Sequence, residues 1–172
     1  MHHPVPRIPA QPAPHRVETE ARLTLELATV VSGARRRALR DGDRQVDTAH
    51  LLHSLVESDP AVRAAFEGGA QLARVLGYLV QRSIGYGLRW RASAEAASRP
   101  VAGPGGWSPA AAAAMEGALE RAALRGEDRA TGLDVLAVVA SDPDCRAFEV
   151  LLRAGVEPDA LTARIAELSQ QV

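Results

Sequence analysis

Apolar positions recur at helical spacing along most of this chain. Between Glu18 and Arg40, the residues Leu23, Leu27, Val30, Val31, Ala34 and Ala38 fall three or four apart, which predicts a long helix with one apolar face. Gly42 is placed to end it. Asp47 or Thr48 then opens a second helix carrying Leu51, Leu52, Leu55 and Val56. Asp59-Pro60 supplies an N-cap and a first-turn proline for a third, which Gly68-Gly69 stops. A fourth helix is predicted from Leu72 to Ile84, with Leu72, Val75, Leu76, Leu79 and Val80 on one stripe.

A second series follows. Ser108-Pro109 caps a helix running to about Arg125, and Thr131 with Asp134 three residues on forms a capping-box pattern for the next. Asp142-Pro143 opens another, closed by Gly155, and Pro158 opens a last one through Leu161, Ile165 and Leu168. Two stretches lack this periodicity. Residues 1–17 carry Pro4, Pro6, Pro9, Pro12 and Pro14 and read as an extended, disordered arm; residues 91–106 are rich in Ala, Ser, Pro and Gly and read as a linker.

The second series repeats the first. Gly33-Ala34, Arg37 and Gly42 recur 84 residues later as Gly117-Ala118, Arg121 and Gly126, and Ser58-Asp59-Pro60 recurs 83 residues later as Ser141-Asp142-Pro143. One lost residue explains the slip. A duplicated unit of this size predicts two copies packed about a pseudo-two-fold axis. The expected fold is therefore all-α, a tandem repeat of two four-helix units with about eight helices: repeat 1 over residues 18–90, repeat 2 over residues 107–172, in one compact double-repeat domain.

Composition agrees. With 47% hydrophobic residues but only 3% aromatic, the core must be built from Ala, Leu and Val, which suits close helix packing. The formal charge of −1 gives no overall reason to expect nucleic acid or an anionic membrane. No apolar run is long enough to span a bilayer, no signal peptide opens the chain, and Cys145 stands alone without a disulfide partner. The expected compartment is the cytoplasm. Every basic residue is Arg, so neither a Walker A lysine nor a Schiff-base amine is present.

The motifs of the two copies resemble the N-terminal repeat domain of the Clp AAA+ unfoldases, of the ClpC and ClpA type. Trp107-Ser108-Pro109 is similar to that family's aromatic-Thr-Pro opening, Leu23-Thr24 stands at the first opening, and Thr48-Ala49-His50-Leu51-Leu52 resembles its Thr-Glu-His-Leu-Leu signature. In copy two that signature has become Gly132-Leu133-Asp134-Val135-Leu136. The resemblance covers Leu23 to the C-terminus. It implies a non-catalytic docking module for adaptors and substrates, here without the ATPase rings: a stand-alone module able to bind what the unfoldase domain binds and unable to unfold it.

It also implies sites. The glutamates that help hold phosphoarginine in ClpC-type domains fall at Ala49 and Leu133, so both carboxylates are missing and that ligand is not expected. A second surface, between the first helices of the two copies, is where adaptors and, in actinobacterial ClpC, cyclic-peptide antibiotics dock. By resemblance Leu23, Val31, Trp107, Glu116 and Leu119 surround it. Trp107 is either a peptide anchor there or a staple for its own helix.

Other chemistry is thinner. His50 and His53 share a helix face, but the sequence places no further metal ligands beside them, and His2, His3 and His15 lie in the arm without fixed geometry. His50 reads as a hydrogen-bonded structural histidine and Cys145 as a small core residue. Arg35, Arg36, Arg37, Arg40 and Arg44 form the only basic run, diluted by Asp41 and Asp43. It is the basis of an alternative reading, a DNA-binding or transcriptional accessory protein. No cofactor motif and no catalytic constellation is legible, so no enzyme is expected. The expected partners are a Clp unfoldase, adaptor or substrate peptides, or a cyclic-peptide antibiotic.

Overall fold

The computed structural model describes residues 20–84 and 106–171. The expected arm, the three arm histidines, the linker up to residue 105 and the end of repeat 1 beyond residue 84 lie outside the described residues. Among the described residues eight helices are defined: α1 (Leu25–Arg40), α2 (Thr48–Ser58), α3 (Pro60–Ala64) and α4 (Gly69–Ile84) in repeat 1, and α5 (Pro109–Leu124), α6 (Gly132–Val139), α7 (Arg146–Arg153) and α8 (Pro158–Gln170) in repeat 2. No sheet forms among the described residues, only two isolated parallel β-bridges.

Those bridges define the symmetry. Leu23 pairs with Ala130, and Trp107 pairs with Val46. Thr24 N–H donates to the Ala130 carbonyl at 3.0 Å and Ala130 N–H to the Arg22 carbonyl at 2.8 Å. Ser108 N–H donates to Val46 at 2.9 Å and Val46 N–H to Gly106 at 2.8 Å. Each bond of one set maps onto one of the other by the 84-residue repeat offset, so each copy lends the other the pairing that fixes its helix starts.

The packing is exchanged in the same way. α2 lies against α5 and α7 of the other copy, α6 lies against α1 and α3, and α2 and α6 meet at the centre. Their residues are correspondingly buried on all sides: Leu51, Leu52, Leu55 and Val56 in α2, and Leu133, Val135, Leu136 and Val139 in α6. Within each copy the first helix approaches the second at a glycine. A Cβ on Gly33 would meet Ser54 Oγ at 2.5 Å, and one on Gly117 would meet Val138 at 3.0 Å. Ser54 Oγ uses the close approach to donate to the Val30 carbonyl at 2.6 Å.

The caps follow the sequence with three corrections. Asp47, Asp59, Ser108 and Thr131 cap their helices as expected, and Gly42, Gly126 and Gly155 take positive φ. The helix expected from Glu18 is interrupted: Glu20 and Ala21 are helical, but Leu23 is drawn into the bridge to Ala130 and Thr24 caps a new start at Leu25. Asp142-Pro143 lies in a turn; α7 starts later, behind Cys145, whose Sγ accepts from Phe148 N–H. Val80 falls off the expected stripe and is exposed, while Val75 and Leu79 are buried.

Candidate functional site

Leu23 and Val31 are buried beneath the inter-repeat seam (4% and 5% exposed), so they would form its floor, not its walls. Trp107 and Leu119 are partly buried and pack on the core, and Glu116 is exposed. Trp107 is also tied to repeat 1: the Arg35 guanidinium of α1 lies 5.4 Å from its ring centroid, within cation–π range. The repeat offset carries Arg35 onto Leu119 and Trp107 onto Leu23, so one end of the seam is charged and aromatic where the other is aliphatic. Ala49 and Leu133, the degenerate phosphoarginine positions, are both buried.

The basic run is not one surface. Arg35 faces Trp107, and Arg37 Nη2 donates to Glu57 at 2.7 Å. Only Arg36, Arg40 and Arg44 are exposed.

A separate opening lies where the two copies depart from symmetry. α4 packs on α7 of the other copy, with Arg74 Nε donating to the Ala154 carbonyl at 3.1 Å. Its counterpart α8 packs on α6 but makes no comparable contact with α3. The gap is a cleft of about 510 Å³, in the size range of small-ligand pockets. Phe66, Val156 and Leu161 form an apolar floor, Ala160 and Ala163 of α8 line one side, and Glu67, Glu157 and Glu167 stand around it with a single Arg164, itself paired with Glu167 at 3.2 Å. Nothing local in the sequence marks this site, because its walls, the turn Ala65–Glu67 with Gln71 and the start of α8 from Val156, come from different copies.

Across the seam the halves are joined by charge. Asp47, the buried N-cap of α2, receives Arg82 of α4 and Arg146 of α7 on one carboxylate oxygen, the latter at 2.6 Å, and His50 N–H on the other at 3.0 Å. Burial pushes its pKa up, but the His50 hydrogen bond and the two guanidiniums outweigh that and hold it well below the ordinary carboxylate range. Burial likewise opposes a charged His50, and the Asp47 bond and charge overcome it, raising the imidazole. His53 is lowered, by burial and by Arg37, against the pull of Glu57.

In repeat 2 the matching helix start is held differently. Asp134 accepts from Thr131 N–H at 2.9 Å and from both guanidinium nitrogens of Arg125, Nη2 at 2.8 Å. Burial raises its pKa, and Arg125 with Thr131 more than reverses this. The signature histidine of copy one has thus become a carboxylate with an arginine partner.

Comparison with known proteins bears on the fold. No protein-family model matches the chain, and no curated protein matches it. Solved structures do. The N-terminal domain of the caseinolytic protease associated chaperone ClpD from Arabidopsis thaliana aligns at 18% identity and a TM-score of 0.63, covering 87% of this chain and 95% of that one. The Hsp104 N-terminal domain from Candida albicans aligns at 13% identity and a TM-score of 0.64, covering 87% and 93%. A chain from structural investigations of a malarial protein secretion system gives 12% and 0.63, covering 88% and 97%.

Proposed function

We propose that this chain, whose fold is that of a Clp N-terminal domain, is a non-catalytic module that binds peptide segments of partner proteins and thereby modulates Clp-dependent proteolysis. The observation that carries the reading is the open cleft between the α3–α4 turn and α8. An apolar floor of Phe66, Val156 and Leu161 with three glutamates against one arginine suits an apolar anchor residue flanked by basic ones, since the floor supplies burial and the rim supplies charge preference. The residues of the module would act by position and complementarity alone.

The inter-repeat seam supports a second ligand class. Trp107 beside Leu119 and Glu116, with Leu23 and Val31 beneath, is a surface on which an adaptor or a cyclic peptide directed at ClpC could lie, making the chain an adaptor, a competitor or a decoy. The DNA-binding alternative has less support, because Arg35 and Arg37 are engaged within the fold.

Two substitutions separate the sites. Ala163 is exposed on α8, so Ala163→Trp fills the cleft without touching the core, while Trp107→Ala strips the seam. Binding of a fluorescent unfolded polypeptide, followed by anisotropy, should fall at least tenfold in Ala163→Trp. Binding of a ClpC-directed cyclic peptide, followed by calorimetry, should fall in Trp107→Ala. The chain should also alter the rate at which a Clp unfoldase–protease degrades an unfolded substrate. No binding by either ligand and no change in that rate would end the proposal.

A further inference from the structure

One polar side chain in the cleft between the α3–α4 turn and α8 is only half used. Gln71, 6% exposed, lines that cleft, and its Oε1 accepts from Glu67 N–H at 2.8 Å. Only the oxygen of a carboxamide can meet a backbone N–H, so the orientation of the group is fixed. Its Nε2 donates to no described residue and is left for whatever enters the cleft. Together with Phe66, Val156 and Leu161 on the floor, and Glu67, Glu157 and Glu167 against a single Arg164 at the rim, this defines a complement. The guest offers apolar side chains, a free carbonyl and positive charge.

Residues 1–17 of this chain have that chemistry. They hold Arg7, Arg16 and three histidines with no Asp or Glu, and Pro4, Pro6, Pro9, Pro12 and Pro14 recur every two or three residues. A proline carries no N–H and has its φ already fixed. Such a segment presents carbonyls to an outside donor and loses little entropy on docking, which is how proline-rich peptides bind aromatic-floored grooves. Val5-Pro6-Arg7-Ile8-Pro9 sets one arginine among four apolar residues, matching floor and rim.

The length of chain permits the contact. Leu23 is bonded to Ala130, just ahead of α6, and α6 packs on α3, at whose end the cleft begins with Ala65. Ile8 stands 15 residues before Leu23, about 45 Å of extended chain, whereas the five residues of α3 rise only about 8 Å. Arg89-Trp90-Arg91 also sets an apolar residue between arginines. It follows Ile84, however, at the opposite end of α4 from Gln71, about 20 Å away, and six residues would have to be fully taut to cover that distance.

We propose that Pro4–Pro9 of this chain docks in its own cleft, with Ile8 on the Phe66 floor, Arg7 toward the glutamates and a carbonyl of the segment accepting from Gln71 Nε2. The inference rests on the reading of the cleft as a peptide site and adds its regulation. A tethered segment competes at an effective concentration of about millimolar order, so a guest peptide binds by displacing it.

The test is paramagnetic broadening in the full ¹⁵N-labelled chain with a nitroxide at Ala10→Cys, where Cys145 is buried and stays unlabelled. Amides of Phe66, Gln71, Ala160 and Ala163 should broaden, and equally so on tenfold dilution. Arg7→Glu/Ile8→Asp should abolish the broadening and bind an unfolded polypeptide carrying apolar residues between arginines at least threefold tighter. Gln71→Glu keeps the acceptor for Glu67 N–H, removes the donor and adds negative charge; it should weaken the broadening, where charge attraction alone would strengthen it. No broadening in a chain whose cleft still binds the polypeptide would overturn the docked segment and leave the peptide site standing. Broadening that fades on dilution, which marks the segment of a second copy, or that is undiminished in Gln71→Glu, would overturn it as well. Absence of both broadening and polypeptide binding would remove the peptide site and the proposal with it.

Discussion

The carboxylate of Asp59 in repeat 1 occupies the place a side chain on Gly132 of repeat 2 would take; a Cβ there would run into Asp59 Oδ2 and meet Leu55 at 3.1 Å. The symmetric position shows the reverse arrangement. Thr48, the repeat counterpart of Gly132, has a side chain, and its Oγ1 accepts from Ala147 N–H at 3.0 Å. The difference follows from the caps. Asp59 caps α3 by itself, accepting from Ala61 N–H at 3.0 Å and Val62 N–H at 3.4 Å, whereas α7 starts at Cys145, a weak sulfur acceptor, and takes its oxygen cap from the other copy.

Thr48→Val should therefore destabilise the chain by about 1–2 kcal/mol, the usual cost of a lost cap with a buried donor left unpaired. Gly132→Ala should cost about 1–3 kcal/mol through overpacking against Asp59, and less in an Asp59→Ala background, where the obstruction is gone. Urea unfolding of the four variants measures both.

Asp47 joins α2 to α4 of its own copy and to α7 of the other. Asp47→Asn keeps an N-cap oxygen for α2 but leaves Arg82 and Arg146 without their counter-charge, and losing one partner of a buried ion pair typically costs about 3–5 kcal/mol. Arg146→Gln should cost less, since its side chain is 31% exposed against 14% for Arg82. Thermal or urea unfolding of both checks the order.

Stability should depend on pH with opposite signs at the two histidines of α2. The fold raises His50, faced by Asp41, Asp43, Asp47 and Arg82, so its contribution is fully present below the ordinary value of 6.5 and is lost as pH rises through the folded value. The fold lowers His53, so it disfavours folding as pH falls below 6.5. Asp47 and Asp134 are lowered from 3.8, and their stabilisation is lost as pH falls below that. Titration by imidazole NMR should place His50 above and His53 below 6.5; the reverse order would contradict the hydrogen-bond assignment.

The repeat, the helix count and most caps were legible because they are local: Ser108, Asp47 and the Thr131–Asp134 pair act within three residues of themselves. What was not legible depends on the other copy. The start of α1 is set by Leu23 reaching Ala130, and the start of α7 by Thr48, 99 residues from the amide it caps. The pairing of Asp43 with His50 at 2.8 Å was hidden because Asp43 read as dilution of an arginine run, and only the turn at Gly42 brings it to the imidazole. The cleft has no sequence signal, since its walls are the α3–α4 turn of one copy and α8 of the other. The Arg35 guanidinium over the Trp107 ring had no signal in the sequence, because the two residues come from different copies.

The most direct measurement is a titration of the ¹⁵N-labelled chain with an unfolded polypeptide carrying apolar residues between arginines, followed by amide shifts and repeated with Ala163→Trp. The expected result is saturable shifts clustered at Phe66, Gln71, Val156 and Leu161, absent in Ala163→Trp and weaker for an acidic polypeptide of equal length. Saturable binding that persists in Ala163→Trp, or no shifts around the cleft, would contradict a peptide-docking role for the space between the α3–α4 turn and α8.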